Sequence, residues 1–137
     1  MKDLGFALMV HSQAEPLQSL KRVLKALGVE TYSVQTCREA KRLVTQTQPE
    51  LIFTEASLSD GSWADILELA READFPLNVI VVSATKNTNL YLSVMEQGAY
   101  DFVVPPFEHE GLAFIVKSAE HDVRNRKEAQ SRLPIMM

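Results

Sequence analysis

The side chains able to do chemistry gather just behind short apolar runs. His11-Ser12-Gln13 follows Phe6 to Val10, Glu55-Ala56-Ser57 follows Leu51 to Thr54, Ser83-Ala84-Thr85 follows Val79 to Val82, and Pro105-Pro106-Phe107 follows Phe102 to Val104. Together they supply one carboxylate, one imidazole and several hydroxyls. A divalent-metal phosphoryl site needs two or three carboxylates around a hard cation and a lysine for the phosphoryl oxygens. Glu55 is the only acid in position, and no lysine follows the last run. A hydrolase needs a serine, a histidine and an acid. Ser83, His11 and Glu55 have those types, but the G-x-S-x-G elbow is missing. A nucleotide or flavin site needs a phosphate loop behind the first strand. His11-Ser12-Gln13-Ala14-Glu15-Pro16 has no glycine and carries an acid, so neither G-x-G-x-x-G nor a P-loop is present. These residue types support no enzyme class, with a small Ser83/His11/Glu55 hydrolase left as an outside alternative.

Composition narrows the classes further. With 46% apolar and 23% charged residues in 137, the chain has the make-up of one globular domain. The formal charge of −4 argues against a surface built on nucleic-acid phosphates. Cys37 is the single cysteine, which excludes an internal disulfide and a multi-thiolate metal site. No apolar run approaches the roughly 18 residues of a membrane span, and Met1-Lys2-Asp3-Leu4-Gly5 leads into no signal-peptide core. A cytoplasmic protein without a membrane segment is the expectation.

The elements that must position these residues alternate between two periods. Phe6 to Val10, Leu51 to Thr54, Val79 to Val82 and Phe102 to Val104 are continuous apolar runs, as in strands covered on both faces, while Val29 to Gln35 is mixed and suits an edge strand. Between them lie helical spacings. Leu17, Leu20, Leu24 and Leu27 come first, with Pro16 in the first turn and Gly28 as the stop. Ala40, Leu43 and Val44 follow a capping-box pair, Thr36 and Glu39, and end before Pro49. After the Ser59-Asp60-Gly61-Ser62 break come Ile66, Leu69, Ala70 and Ala73, and then Leu90, Val94 and Met95 closed by Gly98. Leu112, Ile115, Val116, Ala119 and Val123 form the last. Five strands alternating with five helices predict an α/β fold with a parallel sheet, helices on both faces, and a site at the carboxyl ends of the strands. From Glu120 onward the composition turns charged. The domain is therefore expected over 1–125, with a charged helical extension and a loose tail over 126–137.

Three stretches carry a family resemblance. They are Pro49 to Ser62 around Glu55, Val79-Ile80-Val81-Val82-Ser83-Ala84, and Gly98-Ala99-Tyr100-Asp101-Phe102-Val103-Val104-Pro105-Pro106-Phe107. In order and separation they resemble the receiver domain of two-component response regulators over roughly residues 6–125. The resemblance implies a flavodoxin-like, doubly wound (βα)5 fold with strand order 2-1-3-4-5 and a place in phosphorelay signalling. It puts Glu55 at the phospho-acceptor position and His11 and Ser12 where the family has the acid pair that holds magnesium. Ser83 and Phe102 fall at the switch positions, Ser57 at the metal-facing carbonyl, Pro105 at the lysine, and Pro106 at a proline that follows a cis peptide.

The departures have physical consequences. One carboxylate beside a neutral hydroxyl is a poor magnesium site, so weak or no magnesium binding, no other metal and no cofactor are expected. Without cation and lysine, the charge of a transferring phosphoryl group is uncompensated. The resulting reading is a divergent pseudo-receiver, not an enzyme, that acts without phosphorylation through protein–protein contacts. The implied partners are a histidine kinase or an output protein. A homodimer could form through the fourth helix, fifth strand and fifth helix, using Leu90, Tyr91, Met95, Phe102 and the stretch Phe107 to Ile115. No nucleic acid is expected in this chain. The rival is a receiver phosphorylated on Glu55 or a serine.

Several residues have two readings. Glu55 either stands in for a phosphorylated aspartate, bonding Ser83 and drawing Phe102 inward into an active-like resting state, or is a solvated acid. Ser83 either answers Glu55 or caps the next helix. His11 reads as a solvated or hydrogen-bonded strand-end residue rather than a metal ligand. Cys37, just inside a helix, has either a lowered thiol pKa or no reactivity. Trp63 covers the crevice or a partner surface, or packs on its own loop.

Overall fold

The computed structural model describes residues 6–132. In chain order the elements are β1 (Phe6–Val10), α1 (Leu17–Ala26), β2 (Glu30–Val34), α2 (Cys37–Thr47), β3 (Leu51–Glu55), β4 (Ser57–Leu58), β5 (Gly61–Ser62), α3 (Trp63–Glu72), β6 (Asn78–Val82), α4 (Thr88–Glu96), β7 (Asp101–Val103) and α5 (His109–Arg132). The main sheet is parallel, ordered β2-β1-β3-β6-β7. Counted by its own strands this is 2-1-3-4-5, the flavodoxin-like order implied by the resemblance.

Strand parity divides the core in two. Ala7, Met9, Leu51, Phe53, Ile80 and Val82 meet Leu17, Leu20 and Leu24 of α1 and Leu112, Val116 and Ala119 of α5. Their neighbours Leu8, Val10, Ile52, Val79 and Val81 meet Ala40 and Val44 of α2, Ile66 and Leu67 of α3, and Val94 of α4. Central strands buried on both faces need apolar residues at every position, so β1, β3 and β6 read as unbroken runs. In β2, at the sheet edge, Val34 alone is buried.

The helix ends follow the sequence signals with small shifts. The Thr36 hydroxyl accepts from Glu39 N at 3.1 Å, but the Glu39 carboxylate accepts from Gln35 N, one residue before the cap. Gly28 and Gly98 close α1 and α4 at φ +87 and +103, conformations that cost an L side chain energy. Asn87, not Ser83, caps α4 by accepting from Leu90 N.

Two features depart from the sequence expectation. The first is the β4–β5 ribbon, whose turn places Asp60 at the start of α2. The Asp60 carboxylate accepts from Cys37 N at 2.8 Å and Arg38 N at 3.1 Å, capping a helix 23 residues upstream. Those amide bonds, the Cys37 one foremost, hold its carboxyl below the usual carboxylate range. The second is α5, which does not leave the body at Glu120 or at 126. Glu120 is only 2% exposed and Val123 is fully buried. Asn78 Nδ2 donates to Ala119 O and to Asp122, and Arg126 donates to Asn78 Oδ1 at 2.8 Å and to Asp122. Glu50 pairs with Arg124 at 3.2 Å and Lys127 at 4.0 Å. The body therefore reaches Lys127, and α5 continues as helix to Arg132. The tail expected at 134–137 and the start Met1 to Gly5 lie outside the described residues. Among the described residues, no helix is long and apolar enough to cross a membrane.

Candidate functional site

The register of β1 against β3 builds the site. Val10 pairs with Thr54, so His11, Ser12 and Gln13 leave the sheet beside Glu55, the last residue of β3. Glu55 is only 8% exposed. Its Oε1 accepts from Ser12 N at 2.6 Å, Ser12 Oγ at 2.9 Å and Gln13 N at 3.4 Å. Two of those donors are backbone amides fixed by the end of β1, so the carboxylate is held on the β1 side. The crevice above it, about 570 Å³, also reaches Pro16, Ser57, Leu58 and Ser83.

Ser83 faces its own loop. Its hydroxyl donates to Thr85 O at 2.7 Å and lies 3.3 Å from Thr85 N. No hydrogen bond joins Glu55 to Ser83, which corrects both the expected active-like pairing and the expected helix cap. The reason is local: Ser12 and Gln13 offer Glu55 three donors, and Thr85 offers Ser83 a carbonyl within its own turn. Phe102 is half-buried against the α2/α3/α4 side of the core, edge-on to Tyr91 with ring centroids 5.8 Å apart.

The remaining candidates fall apart from one another. His11 Nδ1 donates to Gln13 O at 2.6 Å, and the ring lines a separate recess with Ser33, Gln35 and Glu39. A Ser83–His11–Glu55 triad is therefore not assembled, each member being bonded elsewhere. Pro105, at the position the resemblance gives to a lysine, carries neither charge nor donor, and the Pro105–Pro106 peptide is cis. A second cis bond, Glu15–Pro16, had no sequence signal. Trp63 opens α3, donates its backbone N–H to Ala56 O, and packs its ring on the core rather than over the crevice.

This donor set does not fit magnesium. Among the described residues, no three His, Cys, Asp or Glu side chains converge as ligands. Glu55 is the one carboxylate at the centre, and one of its oxygens already takes three donors. Glu15, at the rim, is turned to the Ser19 hydroxyl, which holds it below the usual carboxylate range.

Cys37 is shielded rather than activated. Burial, helped by the charges of Asp60 and Asp65, raises its thiol to about 11. Alkylation of the folded chain should stay slow at pH 9.0 and climb only towards pH 11, whereas the chain in denaturant should react near the ordinary thiol value of about 8.5. A folded-state rate already at plateau by pH 9.0 would contradict the burial argument.

Comparison with known proteins agrees with this geometry. The family model for the response regulator receiver domain matches residues 7–117. The chain is 24% identical over 113 residues to response regulator protein PilR of Pseudomonas aeruginosa, covering 82% of this chain and 25% of that protein. It is 29% identical over 111 residues to transcriptional regulatory protein PrrA of Mycobacterium leprae, covering 81% and 48%. It thus spans between about a quarter and about a half of these relatives' length. The beryllofluoride-activated NtrC4 receiver domain dimer shares the fold with a TM-score of 0.75 at 22% identity, covering 86% of this chain and 98% of that one. The matched span runs from β1 into α5 and takes in every strand of the sheet and the whole crevice, so the chain belongs to the receiver domains of two-component response regulators.

Proposed function

We propose that this receiver domain signals without taking up a phosphoryl group, as a cytoplasmic, non-enzymatic module working through contacts with other proteins. The observation that carries this reading is the engagement of Glu55 Oε1 by Ser12 and Gln13. An acceptor needs a free oxygen in line with the donor phosphorus and cations on the equatorial oxygens. Here the carboxylate is tied back, the second acid of the crevice, Glu15, is turned to Ser19, and Pro105 supplies no positive charge. The separation of His11, Ser83 and Glu55 into three unrelated hydrogen bonds supports the absence of a hydrolytic activity.

The partner classes are a histidine kinase, an output protein or a second copy. Along α4, β7 and α5, Tyr91 is 42% and Phe114 72% exposed. Leu90, Met95 and Phe102 lean into the core instead, so among the described residues Tyr91, Leu92 and Phe114 are the large apolar side chains these elements expose. The dimer formed by the NtrC4 receiver domain supports such a contact. The direct test is to incubate the whole chain with acetyl phosphate and magnesium and weigh it intact. The mass should stay unchanged, and magnesium titration should give no millimolar or tighter isotherm. A phosphoryl adduct would overturn the reading.

A further inference from the structure

We infer that the crevice over Glu55 is a seat for an arginine side chain of a partner protein, anchored on Glu55 Oε2. The inference rests on the proposed phosphorylation-independent reading, because a receiver that held magnesium here would have no room for it. Glu55 is more than nine-tenths buried, and its two oxygens are treated differently. Oε1 has three donors, while among the described residues none donates to Oε2. Among the described residues no sealed side-chain oxygen lacks a partner, so Oε2 opens into the crevice that Glu55 lines. A carboxylate this deep, with one oxygen that no protein group of the crevice engages, favours a charged donor.

The crevice holds no cation of its own. Its lining contains two acids, Glu15 and Glu55, and no lysine, arginine or histidine. Glu15 is already turned to Ser19 and lies 4.0 Å from Arg22, which leaves Glu55 as the inward-facing charge. The recess is thus complementary to one positive group from outside.

Three cations can be ranked by chemistry. Magnesium needs several hard ligands and sheds its water reluctantly, so a single carboxylate oxygen does not hold it. A lysine ammonium is compact and strongly hydrated, and loses that water for one good acceptor. A guanidinium is planar, weakly hydrated and carries five donors. Its five donors allow it to meet Oε2 and still bond hydroxyls of the lining serines, Ser57 and Ser59 among them. The crevice, about 570 Å³, is within the usual range of ligand pockets, roughly 300–1,000 Å³. A peptide-borne arginine suits it better than the free amino acid, whose α-carboxylate would meet the acidic rim.

The test is an NMR titration of the whole chain with N-acetyl-arginine amide. Saturable shifts are expected at the amides of Ser12, Gln13, Ala56, Ser57, Ser83 and Ala84. The uncharged citrulline analogue should bind about tenfold more weakly, and so should the arginine probe to Glu55→Gln, as loss of one charge-assisted bond implies. Ala84→Lys, an exposed rim change that leaves Glu55 in place, should block the probe by filling the seat, and keeps the test open if Glu55→Gln fails to fold. A flat titration, equal affinity for citrulline, or unchanged binding to either folded variant would overturn the seat. Weighing the same sample after acetyl phosphate and magnesium separates the two ideas. An adduct overturns the underlying reading, whereas a flat arginine titration without adduct overturns the seat alone.

Discussion

A chain carrying His11→Asp, Ser12→Asp, Glu55→Asp and Pro105→Lys together should bind magnesium and gain the mass of one phosphoryl group from acetyl phosphate. The natural chain should do neither. The four changes supply two acids at the end of β1, a shorter acceptor at the end of β3, and an ammonium behind β7. Each addresses a separate physical deficit. The acids give a hard cation its oxygen ligands. The aspartate withdraws the carboxylate by one methylene from Ser12 and Gln13, and the lysine neutralises charge on the transferred group. Single changes should do little, because a cation without an acceptor, or an acceptor without a cation, gains nothing. If the fourfold variant folds yet binds no magnesium and takes no phosphoryl group, the loss of chemistry lies elsewhere in the crevice than in these four side chains.

Phe53→Ala should cost about 3–5 kcal/mol of folding stability, measured by denaturant unfolding, the usual range for truncating a buried phenylalanine. Phe53 is fully buried in β3 between Met9 and Ile80, and it belongs to the core shared by α1 and α5. Against a typical total of about 5–15 kcal/mol, that is a large fraction. Tyr32→Ala, on an exposed position of the edge strand, should stay within about 0.5 kcal/mol and serves as the control. A Phe53→Ala loss below about 1 kcal/mol would mean that the site collapses around the cavity instead of resisting it.

The sheet was legible because burial on two faces leaves a plain mark. Leu51-Ile52-Phe53-Thr54 and Val79-Ile80-Val81-Val82 are apolar at nearly every position, and the structure buries them on both faces. The positions of the site were legible for the same reason, since they simply follow those runs. Their bonding was not. Glu55 turns to Ser12 because Val10 lies opposite Thr54, and register between strands 41 or more residues apart leaves no local signal. The β4–β5 ribbon has two residues per strand, too few for any period to show. Asp60 read as turn chemistry, and its service as the cap of α2 depends on where the ribbon folds. Glu120 misled for a different reason: a glutamate in a charged stretch reads as solvated, yet the surrounding Ala119 and Val123 carry it inward.

The polar clamp on α5 gives that helix a fixed bearing as well as a fixed position. The 24 residues from His109 to Arg132 make a rod about 36 Å long at the usual rise per residue. Asn78 grips it through Asp122 and Arg126, which sets its rotation about its own axis relative to the crevice. Lys127 to Ser131, all exposed, are therefore displayed at a defined azimuth, as marks on a shaft are defined by its keyway. One residue inserted after Lys127 would advance the residues behind it by about 1.5 Å and swing them by about 100°. The crevice would keep its shape while everything that reads the far end of the shaft would meet a different face.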